Sequence, residues 1–189
     1  MNKSINLLDP QKGFKEYEII PGCGRLWDEY VQQTCDYIIE FWPEVIAGKD
    51  RNQFIREQTQ ILKERYSPEN RIYYLWMYQK EFLVLANGYL DDLPFGTNNS
   101  SSNSNEHENL NKNPKVFYIA EMVVNPKYRG QKIGEKLLSR LITWAKQHNA
   151  IEMVVEVDTK MQANRFWNGK FGLKLESSSN DRNMYKTKL

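Results

Sequence analysis

The first half of the chain has a hydrophobic pattern that predicts two helices followed by a β-hairpin. Apolar residues recur three or four positions apart at residues 25–42 and 52–66, which is the spacing of one helix face. Two strongly apolar segments, residues 71–78 and 82–90, flank the polar turn Gln79-Lys80-Glu81 and are typical of paired strands.

The second half alternates strand-like and helix-like patterns. Residues 133–148 are apolar on one face, which predicts an amphipathic helix with Asn149 as its C-terminal stop. A further helix is expected from a cap at Asp158 or Thr159 to about Lys170. The remaining apolar segments predict strands, at residues 116–124, 151–157, 173–176 and 183–188. This order predicts an α/β or α+β fold with a mixed sheet.

Two regions outside these elements carry weaker patterns. Residues 1–24 predict an N-terminal arm with a short strand at residues 17–20. Residues 91–115 are polar and rich in Asn and Ser, so they bury too little apolar surface to offset the entropy of ordering. We therefore expect a flexible surface loop there. The length predicts that residues 1–189 form a single domain.

Composition narrows the classes of protein that the chain can be. The 26 basic and 24 acidic residues leave a formal net charge of +2, which gives no support for nucleic acid as a partner. The two cysteines lack metal-type spacing and are expected to be ordinary thiols in a reducing compartment. The N-terminus lacks the apolar core of a signal peptide, and no apolar run reaches membrane-spanning length. We therefore expect a cytoplasmic protein that binds no metal and no membrane.

The most informative segment is the basic turn between the strand that begins at residue 116 and the helix that follows. Gly130 and Gly134 place backbone N–H groups at the start of a helix, which is a geometry that binds phosphate. Lys127, Arg129 and Lys132 add positive charge that suits a diphosphate. The alternative is a basic turn whose glycines serve only tight packing.

This segment resembles the acetyl-CoA-binding motif of the GNAT superfamily of N-acetyltransferases. The motif is Arg/Gln-x-x-Gly-x-Gly/Ala, after a strand that ends in a Val-x-Pro-like turn. The run Val124–Gly130 matches the lead-in, and the run Ile133–Leu138 matches the start of the helix. One position departs from the motif, because Lys132 stands where the family has its first signature glycine.

A second resemblance covers Glu156–Leu173, with the aromatic pair Phe166-Trp167 and the run Lys170–Leu173 in the family's order. The two resemblances span residues 71–188, with an acetyl-CoA-binding core at 116–176. They imply a mixed, mostly antiparallel central sheet that is splayed in the middle and flanked by helices on both faces. They also imply that acetyl-CoA is the co-substrate and that its acetyl group passes to a primary amine by direct attack in a ternary complex.

The resemblance also implies which residues contact the coenzyme. The strand from Met122 to Val124 would offer backbone groups to the pantetheine amides, the basic turn would bind the diphosphate, and Asn164 would contact the pantetheine arm. A solvated helix residue is an equal alternative for Asn164. The implied cofactor-binding positions are Met122, Val123, Val124, Arg129, Gly130, Gln131, Lys132, Ile133, Gly134 and Asn164.

Glu121 is the candidate general base. Strand alternation places it on the same face as Phe117, Ile119 and Val123. Desolvation among apolar neighbours should raise the pKa of its carboxyl group toward the range that a base needs at neutral pH. The alternative is a carboxylate that pairs with a basic residue or lies in water at a splayed sheet edge.

The proton donor for the departing thiolate is open. Family members often have a tyrosine in the last helix, and two fits of this chain place Trp167 or Asn168 at that position. Neither side chain is a useful proton donor to sulfur, which leaves another group such as Tyr185, or departure without an acid. Together with Lys132, this difference keeps a second function open, a non-catalytic CoA-binding sensor or protein-interaction subunit on the same fold.

The acceptor is expected to be an amine on a small molecule or a peptide. Residues 25–66 combine acidic and aromatic side chains, which suit a cationic amine by charge and by cation–π contact. Amphipathic helices also place aromatic residues inward and acids outward for stability alone. A polyamine, an aminoglycoside, a peptide N-terminus and a protein lysine therefore all stay open. The resemblance also implies that a homodimer is possible.

Overall fold

A computed structural model describes residues 8, 13–41, 46, 48–92, 114–168 and 170–189. Within these ranges the chain forms seven strands and four α-helices. In chain order they are β1 (Phe14–Glu18), α1 (Gly24–Phe41), α2 (Arg51–Glu64), β2 (Arg71–Tyr78), β3 (Glu81–Asp92), β4 (Lys115–Val124), α3 (Ile133–Gln147), β5 (Ala150–Asp158), α4 (Asn164–Trp167), β6 (Lys174–Ser178) and β7 (Arg182–Lys188).

The strands form one seven-stranded sheet in the order β1-β2-β3-β4-β5-β7-β6. Strands β1 and β2, β5 and β7, and β6 and β7 pair antiparallel. Strands β4 and β5 pair parallel, as expected for strands joined through the crossover helix α3. The α+β class and the mixed, mostly antiparallel sheet with flanking helices are confirmed. The β4–β5 ladder ends at the pair Ile119↔Val155, so the last five residues of β4 lie beyond it.

The chain divides into two compact units. One unit contains the residues up to Gly88 together with Glu121–Ser139, and the other contains Tyr89–Ala120 together with Arg140–Leu189. Strands β3 and β4 and helix α3 each contribute residues to both units. The expectation of a single domain over residues 1–189 stays a prediction.

Aromatic side chains dominate the core of the first unit. Trp27 and Tyr30 stack with ring centroids 6.1 Å apart, and Tyr73 meets Tyr30 edge-on at 5.4 Å. Helix α2 contributes Phe54 and Leu62 to the same core. Edge-to-face and stacked rings both suit the aromatic quadrupole, so this packing fixes how α1 lies against β2.

The core of the second unit is more aliphatic. Phe117 and Met153 on the paired strands β4 and β5 are fully buried. Leu141 on α3 is also fully buried, and the rings of Phe117 and Trp144 lie 5.7 Å apart. Along β4 the predicted inward face is largely kept, because Phe117, Ile119 and Val123 are buried and Glu121 is half-buried, although Val116 is buried as well.

The helix predicted from Asp158 or Thr159 to Lys170 is wrong. Asp158 is the last residue of β5, and its carboxylate accepts a hydrogen bond from Lys160 N at 2.8 Å, which forms a turn. The side-chain amide of Asn164 bonds the backbone oxygens of Asp158 and Met161, both at 2.8 Å. Side-chain bonds of this kind compete with helical backbone bonds, so only the single turn α4 forms.

Other boundaries differ by a few residues. The first strand is β1 at residues 14–18 and not residues 17–20. Glu81 begins β3 and does not belong to the hairpin turn. The predicted loop at residues 91–115 loses its ends to β3 and β4, and residues 93–113 lie outside the described residues.

Candidate active site

Glu121 lies in the first unit, on the part of β4 beyond its ladder with β5. Its side chain is half-buried, and Oε2 accepts a hydrogen bond from Asn87 Nδ2 at 2.7 Å. Burial raises the pKa of the Glu121 carboxyl group to about 7, against the opposing effects of the Arg71 charge and of hydrogen bonds from Asn87 and Tyr30. A carboxylate with such a pKa is able to exchange protons at neutral pH.

Asn87 and Tyr30 join Glu121 in a buried hydrogen-bond network. Both side chains are fully buried, and Asn87 Nδ2 also donates to the hydroxyl oxygen of Tyr30 at 3.0 Å. Burial raises the pKa of the Tyr30 phenol well above its usual value, so it stays protonated. It can therefore act only as a donor toward the carboxylate of Glu121.

Sequence reasoning missed both network partners of Glu121. Asn87 does carry a signal in the sequence, because it is a lone amide within the apolar run of β3. A polar residue at such a buried position needs a partner, and often marks a site. Tyr30 carries no comparable signal, because an aromatic residue on the apolar face of α1 has the appearance of ordinary core.

Arg71 supplies the positive charge that acts on Glu121. The residue is largely buried, and its Nη1 donates to the hydroxyl oxygen of Tyr73 at 3.4 Å. The Tyr73 hydroxyl in turn donates to the backbone oxygen of Leu62 at 3.1 Å. The charge of Arg71 lowers the pKa of Glu121 and so limits the effect of burial.

Cys35 borders the same network but cannot act as a nucleophile at neutral pH. Burial raises the pKa of its thiol to about 12, and the negative charge of Glu121 adds to this shift. The thiolate is the reactive form of cysteine, so a fully buried, protonated thiol is inert. The cluster therefore offers a base and no nucleophile.

The lead-in to the basic turn is anchored by side chains. Asn125 accepts a hydrogen bond from Lys127 N at 3.1 Å and donates through Nδ2 to the backbone oxygen of Phe82 at 2.8 Å. The buried Tyr128 donates its hydroxyl to Glu81, which also pairs with Lys127 at 2.6 Å. These bonds tie the start of the turn to the first residues of β3.

Residues 129–132 of the turn are exposed, whereas Ile133 and Gly134, the first residues of α3, are buried. Arg129 Nε donates to the backbone oxygen of Val124 at 3.1 Å. The first helical hydrogen bond runs from Lys136 N to Lys132 O at 3.1 Å. The N–H groups of Ile133 and Gly134 therefore precede the intrahelical ladder, as donors at a helix N-terminus do.

Lys132 has a backbone conformation that normally favours glycine. Its φ is 60°, in the left-handed region, and Gly130 two residues earlier has a φ of 78°. At the position where the family motif has a glycine, this chain therefore has a backbone conformation that suits glycine. The lysine holds that geometry at a cost in strain.

We expect the substitution Lys132→Gly to stabilise the protein by about 1 kcal/mol, because glycine adopts a positive φ without strain. The measurement is the free energy of unfolding in denaturant. Lys136→Gly, which lies inside α3 where the backbone is helical, should destabilise by about 1 kcal/mol. If both substitutions lowered the free energy of unfolding by the same amount, the left-handed conformation at residue 132 would carry no strain.

The remaining predicted contacts have clear positions in the structure. Val123 is buried, and Met122 and Val124 are half-buried at the end of β4. In the second unit, the Asn164 oxygen accepts hydrogen bonds from Asn183 Nδ2 at 2.9 Å and from the Tyr185 hydroxyl at 3.0 Å. This network gives Asn164 a structural role, and its contact with pantetheine stays a prediction.

The two candidates at the tyrosine position differ in exposure. Trp167 is buried and Asn168 is exposed.

Among the described residues, no group of three or more His, Cys, Asp or Glu side chains is arranged to hold a metal ion. In the same part of the chain, no helix has both the length and the apolar character needed to cross a membrane.

Comparisons with solved structures agree with this architecture. An acetyltransferase from Streptococcus agalactiae aligns with a TM-score of 0.62 at 14% identity, over 94% of this chain and 99% of that chain. PaiA N-acetyltransferase from Thermoplasma acidophilum, solved in complex with coenzyme A, aligns with a TM-score of 0.58 at 14% identity, over 94% and 99% of the chains. NAA60 from Arabidopsis thaliana, in complex with a bisubstrate analogue, aligns with a TM-score of 0.60 at 9% identity, over 93% and 97%.

At these identities the structures show a shared fold, and the family assignment comes from the sequence. No curated protein matches the chain. Residues 46–173, more than half of the chain, match the acetyltransferase (GNAT) family. That range contains the hairpin, Glu121, the basic turn and the segment around Trp167, so the chain belongs to the acetyltransferase (GNAT) family of enzymes.

Proposed function

We propose that the protein is an N-acetyltransferase that transfers the acetyl group of acetyl-CoA directly to a primary amine, with Glu121 as the general base. The observation that carries this proposal is the Glu121 carboxylate, which is half-buried, held by Asn87 at 2.7 Å and has a pKa of about 7. The membership of the chain in the GNAT family supports acyl transfer as the reaction. The Glu121 carboxylate provides the proton acceptor that amine acylation needs.

The chemistry explains why a base is needed. An amine with the pKa of lysine, about 10.4, is unprotonated in only about one molecule in a few thousand at pH 7. In the proposed reaction the amine nitrogen attacks the thioester carbonyl carbon, a C–N bond forms and the C–S bond breaks. Glu121 takes the proton that the ammonium group loses before attack. The second proton leaves nitrogen for solvent as the amide forms, and the departing thiolate of coenzyme A takes a proton from solvent. The buried, protonated Cys35 favours this direct route over an acyl-cysteine intermediate.

We infer that the diphosphate of acetyl-CoA binds at the basic turn. The N–H groups of Ile133 and Gly134 and the cationic side chains of Arg129 and Lys132 would provide the donors, and the helix dipole favours an anion there. The complex of the Thermoplasma protein with coenzyme A supports coenzyme binding, and the complex of the Arabidopsis protein with a bisubstrate analogue supports a ternary complex. The acceptor amine lies on a small molecule or a peptide in this proposal.

A thermal-shift assay combined with thiol detection tests the proposed function. Acetyl-CoA at one hundred times its dissociation constant should stabilise the protein by about 2.7 kcal/mol. Thiol release should accompany this shift for at least one member of a panel of polyamines, aminoglycosides and peptides. A shift without thiol release from any amine would favour a non-catalytic CoA-binding subunit, and the absence of a shift would contradict coenzyme binding.

A further inference from the structure

We propose that Asn87 and Tyr30 form a clamp that fixes the Glu121 carboxylate in one orientation and favours its ionised, proton-accepting form. Both are positioning residues in this proposal, because they act on the reaction only through Glu121. The inference rests on the proposed role of Glu121 as the base. It adds two residues from α1 and β3 to a site whose carboxylate comes from β4.

The geometry of the clamp leaves no freedom at the Asn87 amide. Nδ2 carries two protons, and the two hydrogen bonds to Glu121 Oε2 at 2.7 Å and to the Tyr30 oxygen at 3.0 Å use both of them. A flipped amide would place Oδ1 against the carboxylate and lose the bond to Glu121, and it would draw the Tyr30 hydroxyl proton toward Oδ1 and away from the carboxylate. Because Asn87 is fully buried, water cannot replace either bond.

The other end of the Asn87 side chain indicates that the residue serves the site and not the stability of the fold. Its Oδ1 atom is buried and has no hydrogen-bond partner among the described residues. An unpaired buried carbonyl oxygen is unfavourable, and an apolar residue such as the neighbouring Ala86 would avoid it. A residue that keeps an unfavourable oxygen for the sake of two donors fits a functional role.

The groups around Glu121 show why the hydrogen-bond donors of the clamp matter for its ionised form. Titratable or polar groups that act on Glu121 come from three elements, Tyr30 and Cys35 on α1, Arg71 and Tyr73 on β2, and Asn87 on β3. Burial keeps the two tyrosines and the thiol neutral, so Arg71 alone in this set is charged. Desolvation disfavours the ionised form of Glu121, so the groups that stabilise this form are the charge of Arg71 and the two hydrogen-bond donors of the clamp.

The test compares the titration of Glu121 in the wild type, in Tyr30→Phe and in Asn87→Asp. Tyr30→Phe keeps the stacked ring and removes only the hydroxyl, so it should raise the titration midpoint of Glu121 by about one pH unit. Asn87→Asp replaces a donor by a second carboxyl group and should raise the midpoint further. The midpoint is read from the 13C resonance of the Glu121 carboxyl, which is identified by its loss in Glu121→Gln. The acidic limb of the kcat/KM profile should move with it, while the KM for acetyl-CoA stays constant.

Tyr66→Phe is the matched control, because Tyr66 lies against Tyr73 in the same core with ring centroids 6.0 Å apart but is not among the groups that act on Glu121. It should leave the midpoint and the profile unchanged. An unchanged midpoint in Tyr30→Phe would overturn the clamp, even if Asn87→Asp fails to fold. Full turnover in Glu121→Gln would instead overturn the proposed base, and the 13C titration would still report whether the clamp exists.

Discussion

Replacement of Glu121 by glutamine is expected to lower kcat by about 10²- to 10⁴-fold, which is the usual contribution of a general base. Glutamine keeps the size of the side chain, and its oxygen can still accept the hydrogen bond from Asn87, but it cannot take a proton from the amine. The dissociation constant for acetyl-CoA should change little, because the proposed diphosphate site is at the basic turn. Steady-state kinetics at saturating acetyl-CoA and calorimetric titration measure the two effects separately.

The same substitution should stabilise the fold above neutral pH. The folded-state pKa of Glu121 is about 7, against 4.5 for an ordinary glutamate. The folded state therefore holds a proton that the unfolded chain releases, and stability falls as the pH rises from about 4.5 to 7. At pH 8 the charged, half-buried carboxylate costs on the order of 3 kcal/mol, and Glu121→Gln removes that cost.

Loss of turnover together with a gain in stability would separate a catalytic role from simple misfolding. Glu57→Gln is the control, because Glu57 is an exposed glutamate of α2 that pairs with Lys49 at the surface. It should change neither turnover nor thermal stability at pH 8 by a measurable amount. A Glu121→Gln enzyme with normal kcat across the pH range would contradict the assignment of Glu121 as the base.

The elements with strong apolar periodicity were predictable from the sequence. The strand Arg71–Tyr78 was predicted at its observed bounds, and the helix that begins at Ile133 ends one residue before the predicted position. Buried strands and amphipathic helices carry their signal in every second or every third to fourth residue. The helix predicted after Asp158 failed because two side chains, Asp158 and Asn164, bond the local backbone and replace helical bonds.

The base of the candidate site was predictable, but its partners were not. Alternation along one strand was enough to place Glu121 among apolar residues. Its partner Asn87 is 34 residues away along the chain, and Tyr30 is 57 residues from Asn87. Contacts over such separations depend on strand order and on helix packing, which the pattern of a single sequence does not specify. The sequence also does not show that Lys132 adopts a conformation that favours glycine, because only the backbone φ reveals it.

The substitution Lys132→Glu is expected to weaken acetyl-CoA binding by about 10- to 100-fold, because it places a negative charge where we propose that the diphosphate binds. Lys132 is exposed and immediately precedes α3, so the change should not disturb the core. The kcat at saturating acetyl-CoA should stay close to that of the wild type, since the turn holds the coenzyme but takes no part in proton transfer. Wild-type affinity should also fall as salt is added, and the variant should lose most of this dependence.

Lys146→Glu provides the matched control, because Lys146 is an exposed residue in the last turn of the same helix and the substitution changes the net charge by the same amount. A long-range effect of protein charge would weaken binding equally in both variants. Binding at a helix N-terminus depends instead on charge within the first turn, where the field of the helix dipole is concentrated. Lys132→Glu should therefore raise the dissociation constant at least tenfold more than Lys146→Glu, by calorimetry at low salt, and equal constants would place the diphosphate elsewhere.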